Sequence, residues 1–453
     1  MSIEIYSIIG LVLIFLLATL RSVNMGAVAF LGTFLIGTFI YGESEDDLFS
    51  GFPGDLFVVL VGVTMLFAIA KHNGTVDWLI HAGVRAVKGR IALIPWVMFT
   101  VTSLLTMVGA VVPGAVAIMA PIGLNFATRY KINPLLMGLL IINGASAGGF
   151  SPISIFGSIT NGVVERSGLP GNPVLLWLSS FLFNTLLSVV VFFLFGGKQL
   201  LRRRIDTNVA GPGDEAAEGG SPGPAGGGTP VPADGGGGTA TATRPDVTAA
   251  GTVTTLNSQR AITLAGLVVL AVGALALEFD VGLLALSIAT VICLLSPGQT
   301  KGCVAEVAWP TVLLICGVVT YVGLMERAGT IEFLGDSVAG IGVPLLAAFV
   351  ICLIGGGVSA FASTTGILGA LIPLAVPFLQ TGQVGAVGMI IALAISSSVV
   401  DSSPFSTSGA LVVASSPAEV RDLVFRRLMV WGMSMIALAP ILTCALFVVP
   451  GWL

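Results

Sequence analysis

Charge is scarce in this sequence. Asp, Glu, Lys and Arg together make up 9% of its 453 residues, against about 25% in a soluble globular protein. Apolar residues reach 55% and the mean hydropathy is +1.02. A water-soluble domain is excluded, and no nucleic-acid partner is expected. Histidine is scarcer still, with His72 and His81 alone, both in an interfacial segment, 72–90. An intramembrane enzyme would need a Ser/His pair or a metal cluster near the midplane. No histidine lies there, so the protein is read as no enzyme and no cofactor is expected. The five cysteines all fall in the second half of the chain without CxxC or Cys/His metal spacing, and are read as small apolar fillers. The first apolar segment, Ile5 to Leu20, lacks the basic n-region of a signal peptide, and another apolar stretch follows at once. It is read as a retained helix.

What the sequence has is long apolar runs, many of them sufficient to cross a hydrocarbon core of ~30 Å. Between them lies one stretch of another kind. Residues 206–258 are dominated by Gly, Pro, Ala and Thr, which cannot bury enough apolar surface to offset chain entropy. They are read as a disordered linker that divides the chain into 1–200 and 259–453.

The two parts repeat each other. Gly62 to Leu79 aligns with Gly317 to Leu334 at an offset of 255. At an offset of 252, Gly114 falls on Gly366, Pro121 on Pro373, and Ser151, Pro152, Ser154 and Gly157 on Ser403, Pro404, Ser406 and Gly409. In the first part, apolar spans near 5–20, 24–41 and 55–71 precede a long stretch, 91–128, broken at Pro113-Gly114. An interrupted span, 134–166, and a last span, 173–197, follow. The second part repeats this order, with a stretch 343–380 broken at Ser363-Thr364-Thr365-Gly366 and an interrupted span 384–415.

Each broken stretch is either two crossings or a re-entrant hairpin, and charge decides between them. If both are hairpins, each part crosses five times and the two have opposite orientation. With the linker cytoplasmic, only Arg166 and Arg327 of the 19 basic residues then fall outside, which leaves 19 − 2 = 17 inside. This is a strong positive-inside pattern. Two full crossings would carry Arg129, Lys131 and the Arg202-Arg203-Arg204 cluster outside. The predicted fold is therefore an all-α polytopic membrane protein of two inverted-topology repeats. Each has five transmembrane spans, one of them broken, and one re-entrant hairpin. Both termini are extracytoplasmic, and the protein sits in the cell membrane among its lipids.

Backbone groups freed in mid-bilayer need a use, and paired interruptions in two halves point to a transporter's binding site. Half-helix N-termini suit carboxylate oxygens, while unwound carbonyls and hydroxyls suit a hard cation. Around the first break lie Asn143, Ser146, Ser151, Pro152 and Ser154, with Pro113-Gly114 at the hairpin tip. Around the second lie Ser396, Ser397, Ser398, Asp401, Ser402, Ser403, Pro404 and Ser406, with Ser363, Thr364, Thr365 and Gly366 at the tip. Substrate contacts are expected from Pro113, Gly114, Asn143, Ser151, Pro152, Ser154, Thr364, Thr365, Ser403, Pro404 and Ser406. The coupling cation is expected at Ser363, Thr365, Ser398, Asp401 and Ser402. Asp401 is the one acidic residue well inside a predicted span, where an ionisable group is costly and usually functional. It can ligate Na⁺, carry a proton, pair with a positive helix end, or cap a half-helix at 405–415.

The order of spans, hairpins and broken helices resembles the ion transporter superfamily, in particular the divalent anion:sodium symporters. That family carries Ser-Asn-Thr at each hairpin tip, ten residues before a proline. Counting back from Pro373 gives Ser363-Thr364-Thr365, and from Pro121 gives Val111-Val112-Pro113, so the first tip departs from the pattern. The segments 109–123, 142–154 and 396–411 more closely resemble malonate/dicarboxylate carriers of the MatC type. The resemblance implies secondary transport of malonate or a C4-dicarboxylate coupled to Na⁺ or H⁺. It also implies an elevator-like movement and a homodimer. An inorganic-ion carrier of the same superfamily, such as an arsenite exporter or a Na⁺/H⁺ antiporter, is the alternative.

Overall fold

The computed structural model describes residues 4–76, 78, 79, 82, 90–201, 256–330, 333, 343–360 and 364–451, except positions 22, 278, 299 and 381. His81, Ser363 and all but the last three residues of the expected linker lie outside the described residues. Eighteen α-helices and no strand occur among those described. In the first part these are α1 (Glu4–Arg21), α2 (Met25–Ile36, continued by a π-helical turn), α3 (Glu45–Ser50), α4 (Gly54–His72) and α5 (Ile94–Met107). Then follow α6 (Val112–Arg129), α7 (Pro134–Gly149), α8 (Ile155–Arg166), α9 (Pro173–Leu194) and α10 (Gly197–Leu201). The second part contains α11 (Ser258–Ala276), α12 (Val281–Leu295), α13 (Trp309–Arg327), α14 (Pro344–Ser359) and α15 (Thr364–Gln380). It ends with α16 (Ala386–Val399), α17 (Thr407–Ser415) and α18 (Ala418–Thr443).

The helices start where the sequence supplies a starter. Pro95, Pro113, Pro134, Pro173, Pro310 and Pro344 occupy first or second helical positions, where the missing N–H costs no hydrogen bond. Asn133 and Asn172 cap α7 and α9, accepting from the N–H groups of Leu135 and Leu175. Five stretches are long and apolar enough to cross a membrane, 54–72, 173–194, 309–327, 386–415 and 418–448. The protein is thus a multi-pass membrane protein.

Helix bounds correspond between the two parts. α4 and α13 are both 19 residues long and start 309 − 54 = 255 positions apart. α6 and α15 start 364 − 112 = 252 apart, as do α8 and α17. The first hairpin turns earlier than the sequence suggested. Gly109, at φ 111°, makes the turn, and Pro113 lies inside the first turn of α6.

Two exchanges hold the parts together. In one, α4 packs along α12 and α2 along α13. These crossings are close because glycine faces glycine: a Cβ on Gly62 would stand 2.8 Å from the Gly282 oxygen, and one on Gly317 would run into the Gly26 carbonyl. Small residues permit such backbone approach in membranes. In the other exchange, α6 packs on α17 and α15 on α8, so each hairpin arm meets the other part's broken helix. At the centre lie α7 and α16. Every residue from Leu135 to Gly149 is buried, as is every residue from Gly388 to Val399.

Candidate functional site

The two interruptions are built alike, bond for bond. Ser154 Oγ reaches the carbonyls of Gly149 and Ser151, the latter at 2.6 Å, and accepts the Gly157 N–H at 3.3 Å. Ser406 Oγ reaches the carbonyls of Asp401 and Ser403, the latter at 2.8 Å, and accepts the Gly409 N–H at 3.2 Å. One hydroxyl thus ties two carbonyls freed by the end of one helix to an N–H at the start of the next. This satisfies groups that would otherwise be orphaned out of reach of water. Gly157 and Gly409 are required by the same packing, since a Cβ on either would strike the carbonyl of Ser151 or Ser403. Ser406, and not Asp401, is therefore the cap of the second half-helix, which starts at Thr407.

What surrounds the breaks differs. Gly149 and Asp401 hold the same place in the two networks. Asp401 is 5% exposed, and its Oδ1 accepts a 2.6 Å hydrogen bond from Thr364 Oγ1 at the start of α15. Thr364 Oγ1 is in turn 2.8 Å from Ser359 Oγ at the end of α14. The counterparts in the first part, at an offset of 252, are Met107, Val112 and Gly149. There a Cβ on Gly149 would stand 3.0 Å from a Val112 methyl group. A chain of two hydroxyls and a carboxylate on one side is matched by apolar groups on the other.

The remaining predicted residues take several positions. Ser151, Ser403, Pro404 and Thr365 are buried at the breaks and the second tip, Pro152 and Pro113 are half-buried, and Gly114 is exposed. Ser403 Oγ accepts the Phe405 N–H at 3.3 Å. Asn143 is turned towards α9, where its amide donates to Ser188 Oγ at 3.1 Å. Ser396 pairs with Thr443 of α18 at 2.7 Å. Ser398 and Ser402 donate to carbonyls of their own helical turns, those of Ile395 and Val399, at 3.2 and 2.8 Å. The hydroxyls of Ser146 and Ser397 are buried with no hydrogen-bond partner among the described residues. Ser363 lies outside them.

Sequence reasoning missed Ser359, whose only signal is a hydroxyl closing the run Gly355-Gly356-Gly357. It also missed the line Ser180, Asn184, Ser188 on α9, all three buried. Their spacing of four in an apolar span marks one helix face, and that signal was available.

Within 134–166 and 386–415 the charged residues are Asp401 and, at the far end of α8, Glu165 and Arg166. No group of three His, Cys, Asp or Glu side chains able to hold a metal occurs among the described residues. The site offers hydroxyls, carbonyls, one carboxylate, and the N-termini of α6, α8, α15 and α17, whose partial positive charge favours anions. That set can receive a small anion and a hard monovalent cation or proton.

Residues 1–149 match the family described as the dicarboxylate carrier protein MatC N-terminus. No curated protein matches the chain. The matched region ends on Gly149, so it contains the first hairpin and runs to the first break. The first third of this chain is therefore similar to the N-terminal part of the MatC dicarboxylate carriers.

Proposed function

We propose that the protein is a secondary transporter that carries malonate or a C4-dicarboxylate, coupled to Na⁺ or H⁺, by an elevator-type movement. The observation that carries this reading is the pair of Ser-capped breaks, alike in bonding and unlike in charge. Substrate carboxylates meet half-helix N-termini, since no Lys or Arg among the described residues is placed at the breaks. Asp401 would repel a dianion unless a cation or proton occupied it, so its presence beside an anion site supports cotransport. Ser359 and Thr364 hold its carboxylate in place.

Two inverted repeats in the cell membrane are part of this proposal. Arg166 of the first part and Arg327 of the second line one crevice of about 170 Å³. Lys131 and Arg427 line another, of about 520 Å³. Parts of opposite orientation bring these pairs together, with the linker, Lys131 and Arg427 on the cytoplasmic face. A homodimer is proposed from the resemblance.

Binding can be tested apart from transport. A ligand at about 100 times its dissociation constant stabilises the protein that binds it by about 2.7 kcal/mol. Malonate or succinate should raise the melting temperature of the purified protein, and acetate should not. Stabilisation by arsenite and by neither dicarboxylate would sink this reading in favour of an inorganic-ion carrier.

A further inference from the structure

The two crevices that carry paired cations differ in what else lines them. Arg166 and Arg327 line the crevice of about 170 Å³, which Glu326 also lines. Each is already matched, Arg166 by Asp55 and Arg327 by Glu43. Lys131 and Arg427 line the crevice of about 520 Å³ with Asn133 and Gln199, and no acidic side chain lines it. Arg427 forms no ion pair among the described residues. Two helix ends meet there, the start of α7 at Pro134 and the end of α9 at Leu194. Their partial charges, about +0.5 and −0.5, oppose each other, so the two formal charges decide and the crevice selects an anion. Its volume falls in the range of small-molecule sites, about 300–1,000 Å³.

The rest of the wall is apolar. Ile132, Leu194, Phe195 and Leu200 line it, and Phe195 packs edge-on against Trp431 of α18, with ring centroids 6.0 Å apart. Leu194 is 64% exposed and ends a stripe on α9 of Leu182, Leu186 and Val190, all exposed. Residues four apart share a helix face, so the stripe runs from the crevice along the lipid-facing side of the span. From Leu194 to Leu186 is 194 − 186 = 8 positions, about 12 Å at a rise of about 1.5 Å per residue. That is close to half of the ~30 Å hydrocarbon core. Lys131 is set apart by its backbone. It is the one described residue other than glycine with a positive φ, 52°. Its N–H reaches the Thr128 carbonyl at 3.3 Å, and that of Ile132 the Ala127 carbonyl at 2.8 Å. This is the helix ending that favours glycine, so a lysine is held there at a cost that glycine would avoid.

We propose that this crevice binds the phosphate of an anionic phospholipid of the cytoplasmic leaflet, with an acyl chain laid along Leu194, Val190 and Leu186. The inference rests on the transporter reading only for the name of that face. Basic crevices between helices at the cytoplasmic surface suit such headgroups. Lys131 follows α6 and Arg427 belongs to α18, so one bound phosphate joins an arm of the first hairpin to the last helix. Free phosphate or a dicarboxylate would use the two cations and leave the apolar wall bare.

Native mass spectrometry of the full chain in detergent counts bound lipid without any measurement of uptake. Phosphatidylglycerol and phosphatidylcholine are offered separately, with inorganic phosphate, glycerol phosphate and malonate as competitors. The expected result is retention of phosphatidylglycerol over phosphatidylcholine, undisturbed by the three soluble anions at concentrations equal to that of the lipid. Lys131→Gln with Arg427→Gln should weaken phosphatidylglycerol binding by about 30-fold. Arg129→Gln with Arg426→Gln removes exposed cations that do not line the crevice, and should leave binding unchanged. Lys131→Gly guards against misfolding, because glycine suits a φ of 52°. It should weaken binding about fivefold without lowering the melting temperature. Equal retention of the two lipids, or equal loss in the two double variants, would overturn the proposal in favour of diffuse surface charge. Displacement by inorganic phosphate or glycerol phosphate would make the crevice a free-phosphate site, and displacement by malonate a second dicarboxylate site. Either result overturns the proposal, and the carrier reading is left to stand or fall on uptake.

Discussion

Thr364 Oγ1 donates a 2.6 Å hydrogen bond to Asp401 Oδ1, whereas the residues at the same two places in the first part, Val112 and Gly149, meet through a methyl group. Coupling should therefore reside in the second part alone. Asp401→Asn keeps the volume and removes the charge. It is expected to abolish the response of uptake to whichever gradient, Na⁺ or pH, drives the unaltered protein. Thr364→Val removes a hydrogen bond to a charged group, worth roughly 1.5–3 kcal/mol. It should weaken the apparent affinity for the coupling ion by about 10–100-fold. Val112→Thr should leave that affinity unchanged. Uptake with intact coupling in Asp401→Asn would remove the residue from the mechanism.

The serine caps give a second expectation. Ser154 and Ser406 make the same three contacts, so Ser154→Ala and Ser406→Ala should destabilise the protein alike, by roughly 1–2 kcal/mol each. Thermal melting in detergent measures this. A cost at one break and none at the other would contradict their equivalence.

Space at the glycines gives a third. A methyl group on Gly157 or Gly409 meets backbone that cannot swing aside, and overpacking of this kind costs roughly 1–3 kcal/mol. Gly157→Ala and Gly409→Ala should lower the melting temperature, and Gly114→Ala should leave it within error.

Ion pairs give a fourth. Arg166 of α8 pairs with Asp55 at the start of α4, with its Nε 3.2 Å from Oδ2. Their counterparts, Ala418 and Pro310, cannot pair. A half-exposed bridge is worth about 0–1 kcal/mol, so Asp55→Asn should lower the stability of the protein by no more than that, as read by thermal melting in detergent. Glu43→Gln breaks a bridge to Arg327, 2.9 Å long, that joins the α2–α3 loop to α13. Its cost should fall in the same range, and a loss well above it at either position would contradict the surface placement of these pairs.

The parts of this molecule legible from sequence were those fixed by local chemistry. The apolar runs placed the helices, and the interruptions at Ser151-Pro152 and Ser403-Pro404 fell between half-helices. The membrane class followed from scarce charge. Hydroxyl directions were not legible. Ser398 and Ser402 were expected at a cation, and each donates its proton to a carbonyl of its own helical turn, which leaves only its lone pairs to offer. That local bond is open to any serine in a helix, so only the packing around it decides. Ser359 was missed for the converse reason, because its partner Thr364 begins the next helix and the sequence does not show how α14 and α15 meet. The first hairpin turned at Gly109 instead of Pro113-Gly114 because proline suits the first turn of a helix as well as a break.

The central claim, dicarboxylate carriage coupled to a cation, is tested most directly by uptake into proteoliposomes. Labelled malonate and succinate would be offered with Na⁺ and pH gradients imposed separately. The account predicts that at least one of the two anions accumulates and that one of the two gradients accelerates it. No uptake of either anion under either gradient would contradict it.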